Sequence, residues 1–172
     1  LLVLTHPHDD HVNGVLRLMH WLPVRTLVIP DAADTTQAPL SDILVLAEEN
    51  HTAVVRVDAE RTLTAGGISV HLYPEPCAGQ EDGSMIVLTS IGTYDTLVPG
   101  DVDTTAEVKF LSSCTYPSIE LLLVGHHGSK RSTSDVWLDA IAPDAAIISV
   151  GYNNYGHPTA ETLERLQAHN IP

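Results

Sequence analysis

Basic residues are scarce in this sequence of 172 residues. Lys and Arg together number 8 against 22 Asp and Glu, which gives a formal net charge of -14 at pH 7 with histidine neutral. An acidic surface repels phosphate backbones, whereas most nucleic-acid-binding domains carry a basic face. The charge therefore weighs against a polyanionic partner, although it does not by itself exclude one.

Cysteine and long apolar runs are also scarce. Cys77 and Cys114 are the two cysteines, and they are too few and too unpatterned for a disulfide framework or a thiolate zinc site. No apolar run reaches the roughly 18 residues that a membrane-spanning helix requires. Hydrophobic residues make up 44% of the chain and charged residues 17%, which is typical of a folded globular protein rather than a disordered one.

The chain does contain a regular alternation of β-branched or leucine-rich runs with helical patterns, which is typical of layered α/β folds. The patterns predict strands at 1–5, 24–29, 53–57, 68–73, 85–90, 96–99, 120–124 and 145–150, and helices at 12–21, 40–49, 104–111, 133–141 and 159–169. In the last helix, Thr159 follows Pro158 and is predicted to cap the N-terminus. Turns are predicted at 81–83 and 91–93.

The chain is predicted to form one domain over residues 1–172, because it contains no repeats, low-complexity tracts or internal linker. It opens in the middle of an apolar strand. It closes just after a helix, where an alternating fold would begin another strand. We therefore expect the domain to be a segment of a longer protein, cut at both ends.

Four potential metal ligands lie between the first strand and the first helix: His6, His8, Asp10 and His11. Side chains alternate along a strand, so the imidazoles of His6 and His8 are expected to face the same way. Asp10 and His11 follow beyond the turn and are suited to a second metal. Imidazole and carboxylate together suit zinc, manganese or iron better than calcium or magnesium. The alternative is a polar turn that happens to be rich in histidine.

Asp101 follows the apolar strand predicted at 96–99, after a single glycine. The dipeptide Gly-Asp is by itself more often a simple turn than a functional site. Because the histidine-rich motif supplies other ligands, we expect the Asp101 carboxylate to bridge two metal ions.

A further apolar strand ends in the sequence Gly-His-His-Gly-Ser. Two adjacent histidines cannot point the same way from an extended chain. One of His126 and His127 is therefore predicted to bind metal, while the other lines the substrate pocket or makes a supporting hydrogen bond. Ser129, Lys130 and Arg131 follow in a loop before a helix, where hydroxyls, backbone N–H groups and cations suit a substrate phosphate. For the two cations, a plain solvated loop is an equal alternative.

The sequence Asn-Asn-Tyr-Gly-His-Pro forms a third loop after a strand. His157 in this loop is a candidate metal ligand, a candidate proton donor to the leaving group, or a residue that shapes the start of the helix. The end of a strand favours a role in a site, because ligands gather there in such sheets. His20, His51, His71 and His169 lack such neighbours and are predicted to be surface or partly buried histidines.

Together, the series His-x-His-x-Asp-His, Gly-Asp, Gly-His-His-Gly-Ser and Tyr-Gly-His-Pro resembles the metallo-β-lactamase superfamily. Within it, Val-Gly-His-His-Gly-Ser-Lys and Ser-Val-Gly-Tyr-Asn-Asn-Tyr-Gly-His-Pro resemble the C-terminal hydrolase domain of ComEC-type DNA-internalisation proteins of bacterial competence. The resemblance runs along the whole chain. It implies an α/β fold, the αββα sandwich, with the site at the sheet edges and N-terminal strands missing before Leu1.

The resemblance also implies two divalent transition-metal ions, zinc or manganese, and five of their ligands: His6, His8, Asp10, His11 and Asp101. His6 and His8 would serve one ion. Asp10 and His11 would serve the other, with Asp101 as the bridge. His127 closes the set by its spacing, 26 residues after Asp101, and His126 is expected beside the substrate.

The chain departs from the superfamily pattern on the turn before the strands that lead to Gly-Asp, where a further histidine usually stands. Residues 79–84 read Gly-Gln-Glu-Asp-Gly-Ser, so Glu81 or Asp82 is the candidate substitute. Competence-type domains commonly carry Asp where this chain has His8, which makes this site closer to the general superfamily pattern.

The sequence thus predicts a dinuclear metallohydrolase that cleaves phosphodiester bonds, with DNA as the substrate implied by the resemblance. Two divalent ions reverse the local sign of an acidic surface and supply an activated water at neutral pH. Asp10 or Asp101 would orient that water. His126 or His157 would protonate the leaving oxygen.

The resemblance implies a location on the extracytoplasmic face of the bacterial cell membrane, within a larger membrane protein that degrades the DNA strand not taken up. Only a missing upstream part would contact the membrane, and no protein partner is inferred. One alternative, favoured by the acidic composition, is a free-standing cytoplasmic hydrolase of a small ester, lactone or phosphoester. Another is a catalytically silent domain that binds DNA or a partner, against which the complete His and Asp set argues.

Overall fold

The computed structural model describes residues 1–74 and 84–172 of the chain. The strands are β1 (Leu2–Val3), β2 (Thr26–Pro30), β3 (Ala53–Val57), β4 (Arg61–Ala65), β5 (Ile68–Tyr73), β6 (Ile86–Ile91), β7 (Tyr94–Val98), β8 (Leu121–Leu123) and β9 (Ala145–Ile147). The helices are α1 (Asp9–Val12), α2 (Val15–Trp21), α3 (Leu40–Glu49), α4 (Thr104–Ser113), α5 (Asp135–Ile141) and α6 (Ala160–Ala168).

The strands form two separate sheets. In the first, β1, β2 and β3 are parallel and lie in that order. In the second, the order is β4-β5-β6-β7-β8-β9, with β4 to β7 antiparallel and β7 to β9 parallel. The carboxyl ends of parallel strands meet at one edge of a sheet, so the segments after β7, β8 and β9 lie together.

Residues from both sheets share one buried apolar cluster, so the sheets pack face to face. Val28 and Val57 of the first sheet lie in this cluster with Leu72 and Val87 of the second. Side chains along a strand alternate between its two faces, so the neighbouring residues of these strands point outward. Each sheet therefore has a second apolar face to cover.

Helices cover both outer faces. Leu27 and Ile29 of β2 belong to a cluster with buried residues of α1, α2 and α3. On the other side, Leu88 and Leu97 belong to a cluster with α4, α5 and α6 that includes the fully buried Trp137. The layers therefore run αββα, and the fold class predicted from the sequence is confirmed.

Most predicted elements are present, and the main differences have local causes. The helix predicted at 12–21 is divided into α1 and α2 at Gly14, because glycine costs about 1 kcal/mol in a helix interior. The helix predicted from residue 133 begins at Asp135, because the Ser134 hydroxyl caps it by accepting the Trp137 N–H at 3.2 Å. Strand β4 was not predicted, because most of its side chains are exposed and Leu63 alone among them packs against the core.

The strands at the two ends of the chain are shorter than predicted: β1 covers Leu2–Val3 and β9 ends at Ile147. Thr159 caps α6 as predicted, because its hydroxyl accepts the N–H of Thr162 at 3.4 Å. The turn predicted at 91–93 joins β6 to β7, whereas the one predicted at 81–83 lies outside the described residues. Across residues 1–74 and 84–172, no helix is long and apolar enough to cross a membrane.

Candidate metal centre

The first histidine motif begins just after β1, where the backbone is hydrogen-bonded to residues of both sheets. The Leu4 N–H donates to the Val28 carbonyl of the first sheet at 2.9 Å, and the Met85 N–H donates to the Thr5 carbonyl at 2.8 Å. Met85 directly precedes β6 of the second sheet. These hydrogen bonds hold the end of β1 in the interior, so His6 has no exposed surface.

Three predicted ligands, His6, His11 and Asp101, form what we call the inner cluster. Asp101 Oδ1 lies 3.0 Å from His11 Nε2, and Asp101 Oδ2 lies 3.6 Å from His6 Nε2. One ligand atom of each residue lies within 4.8 Å of those of the other two. Asp101 is only 7% exposed, so its carboxylate and the His6 ring meet inside the protein.

Asp10, His11 and His127 form a second group, the outer cluster, whose ligand atoms also lie within 4.8 Å of one another. His127 Nε2 lies 3.0 Å from His11 Nε2 and 3.3 Å from Asp10 Oδ2. The side chain of Asp10 is 62% exposed, so this cluster opens to solvent. His11 belongs to both clusters.

Two observations show that these residues fit metal ions. His127 Nδ1 lies 2.7 Å from the Ser149 carbonyl, and because a carbonyl only accepts, Nδ1 carries the proton and Nε2 keeps its lone pair. The buried His6 Nε2 has no hydrogen-bond partner among the described residues, although buried ring nitrogens normally have one. The His6 Nε2 faces the Asp101 carboxylate, and the His127 Nε2 faces the Asp10 carboxylate. Imidazole nitrogen together with carboxylate oxygen is the donor set of zinc, manganese and iron sites.

The remaining predicted ligand of the first motif is His8. The His8 ring is exposed and lies 4.6 Å from the His6 ring, centroid to centroid, but His8 is in neither cluster within residues 1–74 and 84–172. Glu81 and Asp82, the candidate substitutes for a missing histidine, lie outside the described residues.

The two adjacent histidines after β8 sit on a turn rather than on an extended chain. Both have left-handed backbones, with φ of 49° at His126 and 54° at His127. In this conformation both side chains reach the centre, with their ring centroids 6.4 Å apart and their ring planes inclined by 79°. His127 enters the outer cluster, while His126 Nε2 lies 3.6 Å from Asp101 Oδ2. The sequence argument was wrong in assuming an extended chain here.

Left-handed backbone at a residue other than glycine costs on the order of 1–3 kcal/mol, so the surroundings must hold this turn in place. The His126 N–H donates to the Gly100 carbonyl at 3.0 Å, and the Gly125 N–H donates to the Thr133 hydroxyl at 3.1 Å. Gly128 also has a positive φ, of 83°, and a Cβ there would lie 2.6 Å from the Pro158 Cβ. Glycine is therefore required at this position.

Glu107 and Arg165 brace the segment after the double histidine, and the sequence analysis missed both. The buried Glu107 carboxylate accepts the N–H groups of Thr133 and Ser134. Arg165 donates to the carbonyls of Thr133 at 2.8 Å and Lys130 at 3.1 Å. A glutamate and an arginine inside helices carry no local pattern that marks them as loop braces, so no sequence signal was available.

Three groups of the centre have shifted pKa values: Asp101, His11 and His157. Burial would raise the pKa of Asp101, but the neighbouring His11 and His6 rings outweigh burial and hold that pKa well below its usual range. Burial lowers the pKa of His11, but the Asp101 carboxylate and, to a smaller extent, Asp10 outweigh it and raise that pKa. Burial, with the nearby His126 and His127 rings, lowers the pKa of His157.

The predicted substrate-binding residues line a depression beside the centre. Lys130 and Arg131 are exposed there, next to His126 and His157, whose ring centroids lie 5.6 Å apart. Ser129 also lines it but is 5% exposed. Its hydroxyl accepts the Arg131 N–H at 3.3 Å, whereas the side chains of Lys130 and Arg131 are exposed to solvent.

Comparison with known proteins agrees with this fold. The profile of the metallo-beta-lactamase superfamily matches residues 1–152, so the chain belongs to that superfamily. The chain is 31% identical over 177 residues to ComE operon protein 3 of Bacillus subtilis, covering 99% of this chain and 22% of that protein. It is 38% identical over 96 residues to Competence protein ComA of Neisseria gonorrhoeae, covering 53% of this chain and 14% of that protein.

The chain thus spans about a fifth of the length of these curated relatives, or less. Among solved structures, it is similar to CmlA, a diiron β-hydroxylase from Streptomyces venezuelae, with a TM-score of 0.65 at 18% identity. That similarity covers 98% of this chain and 41% of CmlA. It supports the fold alone.

Proposed function

We propose that this domain hydrolyses phosphodiester bonds in DNA, as the nuclease part of a larger DNA-uptake protein. The observation that carries the proposal is two adjacent clusters of potential metal ligands beside the exposed cations of Lys130 and Arg131. Only 8 residues of this acidic chain are Lys or Arg, so two adjacent cations at the centre are a specific concentration of positive charge. Phosphate is the common ligand of such cations.

The inner and outer clusters would hold two divalent ions, zinc or manganese, and these would supply Lewis-acid activation of a phosphate and of a water molecule at neutral pH. The Asp101 carboxylate stays ionised because its pKa is held low, so it is available to the inner cluster. Asp10 is exposed beside His127 and is the carboxylate placed to accept a proton from an incoming water.

Two histidines, His126 and His157, line the depression that also contains Lys130 and Arg131. The His126 side chain is 38% exposed and lies next to Asp101 and His157. Either His126 or His157 would transfer a proton to the leaving oxygen of a phosphodiester held by Lys130 and Arg131. We assign this role to the pair because both rings line the same depression as the two cations.

The similarity to a protein named as a competence protein supports DNA as the substrate and DNA uptake as the process. Because the chain spans only a small part of its relatives' length, the nuclease would act within a longer protein. We further propose that this longer protein is anchored in the bacterial cell membrane and presents the domain on the extracytoplasmic face.

A second candidate is the hydrolysis of a small ester, lactone or phosphoester. The net charge of -14 favours it, because an acidic surface repels a polyanion but not a small neutral ester.

The two candidate functions are distinguished by measuring hydrolysis of four substrates by the purified protein loaded with Mn²⁺ or Zn²⁺. These are single-stranded DNA, double-stranded DNA, a chromogenic phosphodiester and a small ester, with chelator-treated protein as the blank. We expect cleavage of DNA and of the phosphodiester. Hydrolysis of a small substrate by a metal-loaded protein that leaves both forms of DNA intact would overturn the nuclease proposal.

A further inference from the structure

Residues 151–157, which we call the tyrosine loop, carry two of the most exposed aromatic side chains in the described part of the chain. Tyr152 is 98% exposed and Tyr155 is 83% exposed. Aromatic residues make up only 5% of the sequence, and an exposed ring adds little to the stability of the fold. These two rings therefore have no structural function that the packing explains.

The tyrosine loop is nevertheless held in one shape by Asn153. The Asn153 Nδ2 donates to the carbonyls of His157 at 2.8 Å and Gly151 at 3.0 Å. Its Oδ1 accepts the N–H groups of Tyr155 at 3.0 Å and His157 at 3.1 Å. One side chain thus makes four hydrogen bonds that fix the backbone on both sides of Tyr155, which lowers the entropy cost of binding through that ring.

Tyr155 also stands between the two depressions that flank the metal centre. It lines one together with Asp10 and His127, and the other together with Lys130 and His126. Its ring lies 6.0 Å from the His157 ring at an angle of 31°. A flat group stacked on Tyr155 would therefore lie beside both the clusters and the cations.

We propose that Tyr155 is a base-stacking platform that binds the unpaired nucleobase next to the scissile phosphate, an inference that rests on the proposed nuclease function. Base–aromatic stacking requires a free base face, which single strands offer and duplexes conceal. Stacking also suits an acidic domain, because it provides affinity that does not depend on many phosphate contacts. The platform makes single-stranded DNA the substrate form that this site selects.

The proposal is tested by the binding of a single-stranded oligonucleotide, an abasic strand of the same length and the matching duplex, each measured by fluorescence anisotropy. We expect Tyr155→Ala to weaken single-strand binding about tenfold, the low to middle range for one lost stack, and to leave abasic and duplex binding nearly unchanged. Tyr155→Phe and Tyr155→Trp should retain binding, because they keep the flat ring. The matched control is Tyr94→Ala, since Tyr94 is 51% exposed at the opposite end of β7 from Asp101.

A second readout reports stacking directly. An oligonucleotide with one fluorescent 2-aminopurine base should be quenched by the wild-type protein and by Tyr155→Phe, but not by Tyr155→Ala. If the protein cleaves DNA while Tyr155→Ala binds and quenches like the wild type, the platform is refuted and the nuclease function stands. If the metal-loaded protein neither binds nor cleaves any DNA, both proposals fail.

Discussion

The inner and outer clusters share His11 but differ in how the fold builds them. The inner cluster joins the buried end of β1 to the segment after β7, and its His6 and Asp101 are almost withdrawn from solvent. The outer cluster takes its other ligands from the exposed first turn of α1 and from the strained turn after β8. The sheets therefore position the buried cluster, whereas the other cluster lies on a short helix and a turn that are open to solvent.

The largest effect should come from Asp101→Ala, which removes the carboxylate at the heart of the inner cluster. We expect metal content to fall, and hydrolysis to fall by several orders of magnitude, because a ligand shared by three neighbouring imidazoles is lost. Elemental analysis of the purified variant measures the metal. The control is Asp103→Ala, which should cost about 1 kcal/mol of stability as an N-cap and leave metal content intact. Unchanged metal in Asp101→Ala would remove Asp101 from the ligand set.

Asp10→Ala tests the outer cluster alone. Cleavage should again fall by orders of magnitude, but the melting temperature of the metal-free protein should stay within about 2 °C of the wild type, because Asp10 is mostly exposed. Metal content should fall by less than in Asp101→Ala. Asp9→Ala provides the matched control, since Asp9 is also an exposed carboxylate of the first turn of α1. Equal losses in the two variants would mean that helix α1, and not the Asp10 ligand, was disturbed.

Glu107→Ala tests whether the outer cluster depends on its brace. Loss of the carboxylate leaves the buried Thr133 N–H and the partly buried Ser134 N–H without their acceptor, so the free energy of unfolding should fall by about 1–3 kcal/mol. We expect the occupancy of the outer cluster to fall with it. Glu164→Ala, at an exposed position of α6, should be nearly neutral.

The pH dependence of this loss follows from the pKa of Glu107, which burial raises above its ordinary value of 4.5. A raised pKa in the folded state means that the contribution to stability is complete below pH 4.5 and is lost as the pH rises through the folded-state pKa. The stability gap between wild type and Glu107→Ala should therefore narrow from pH 4 to pH 8 in chemical denaturation of metal-free protein. If the stability difference instead widens with pH, the hydrogen bonds that lower the pKa of Glu107 outweigh the burial that raises it.

The smallest effect should come from Lys130→Ala combined with Arg131→Ala, since both cations are exposed and outside the clusters. DNA binding should weaken, and the slope of log K against log salt should flatten by about one unit per lost phosphate contact. Lys109→Ala, on the exposed part of α4, should leave the slope unchanged. An unaltered slope in the double variant would mean that Lys130 and Arg131 are solvated side chains that do not contact phosphate.

The fold could be predicted largely from the sequence, because apolar periodicity fixes which residues face the core. Helix α3 and strands β3 and β5 were predicted with the bounds that the structure has. Strand β4 was not, since exposed side chains give no such period, although Gly66 and Gly67 offered a signal. Both have positive φ and form the two-residue turn between β4 and β5, as a tight hairpin requires.

The composition of the candidate site was largely available from the sequence, but its geometry was not. Clustered His and Asp at strand ends identified residues that the structure does bring together, among them His6, His11, Asp101 and His127. How these residues group was hidden, because a left-handed turn at His126 and His127 cannot be distinguished from an extended chain by composition. The braces Glu107 and Arg165 act across more than 20 residues of sequence, at separations that local patterns do not report.

The sharing of His11 has a consequence for the order in which ions would be loaded. The same atom, Nε2, faces Asp101 on one side and His127 on the other, and a neutral imidazole has a single lone pair to donate. An ion that takes this lone pair in the inner cluster leaves Asp10 and His127 as the remaining donors of the outer cluster. If both clusters are occupied, the two ions would therefore bind stepwise with unequal affinities. The weaker one would exchange with its surroundings, so that the fully loaded state follows the local supply of metal.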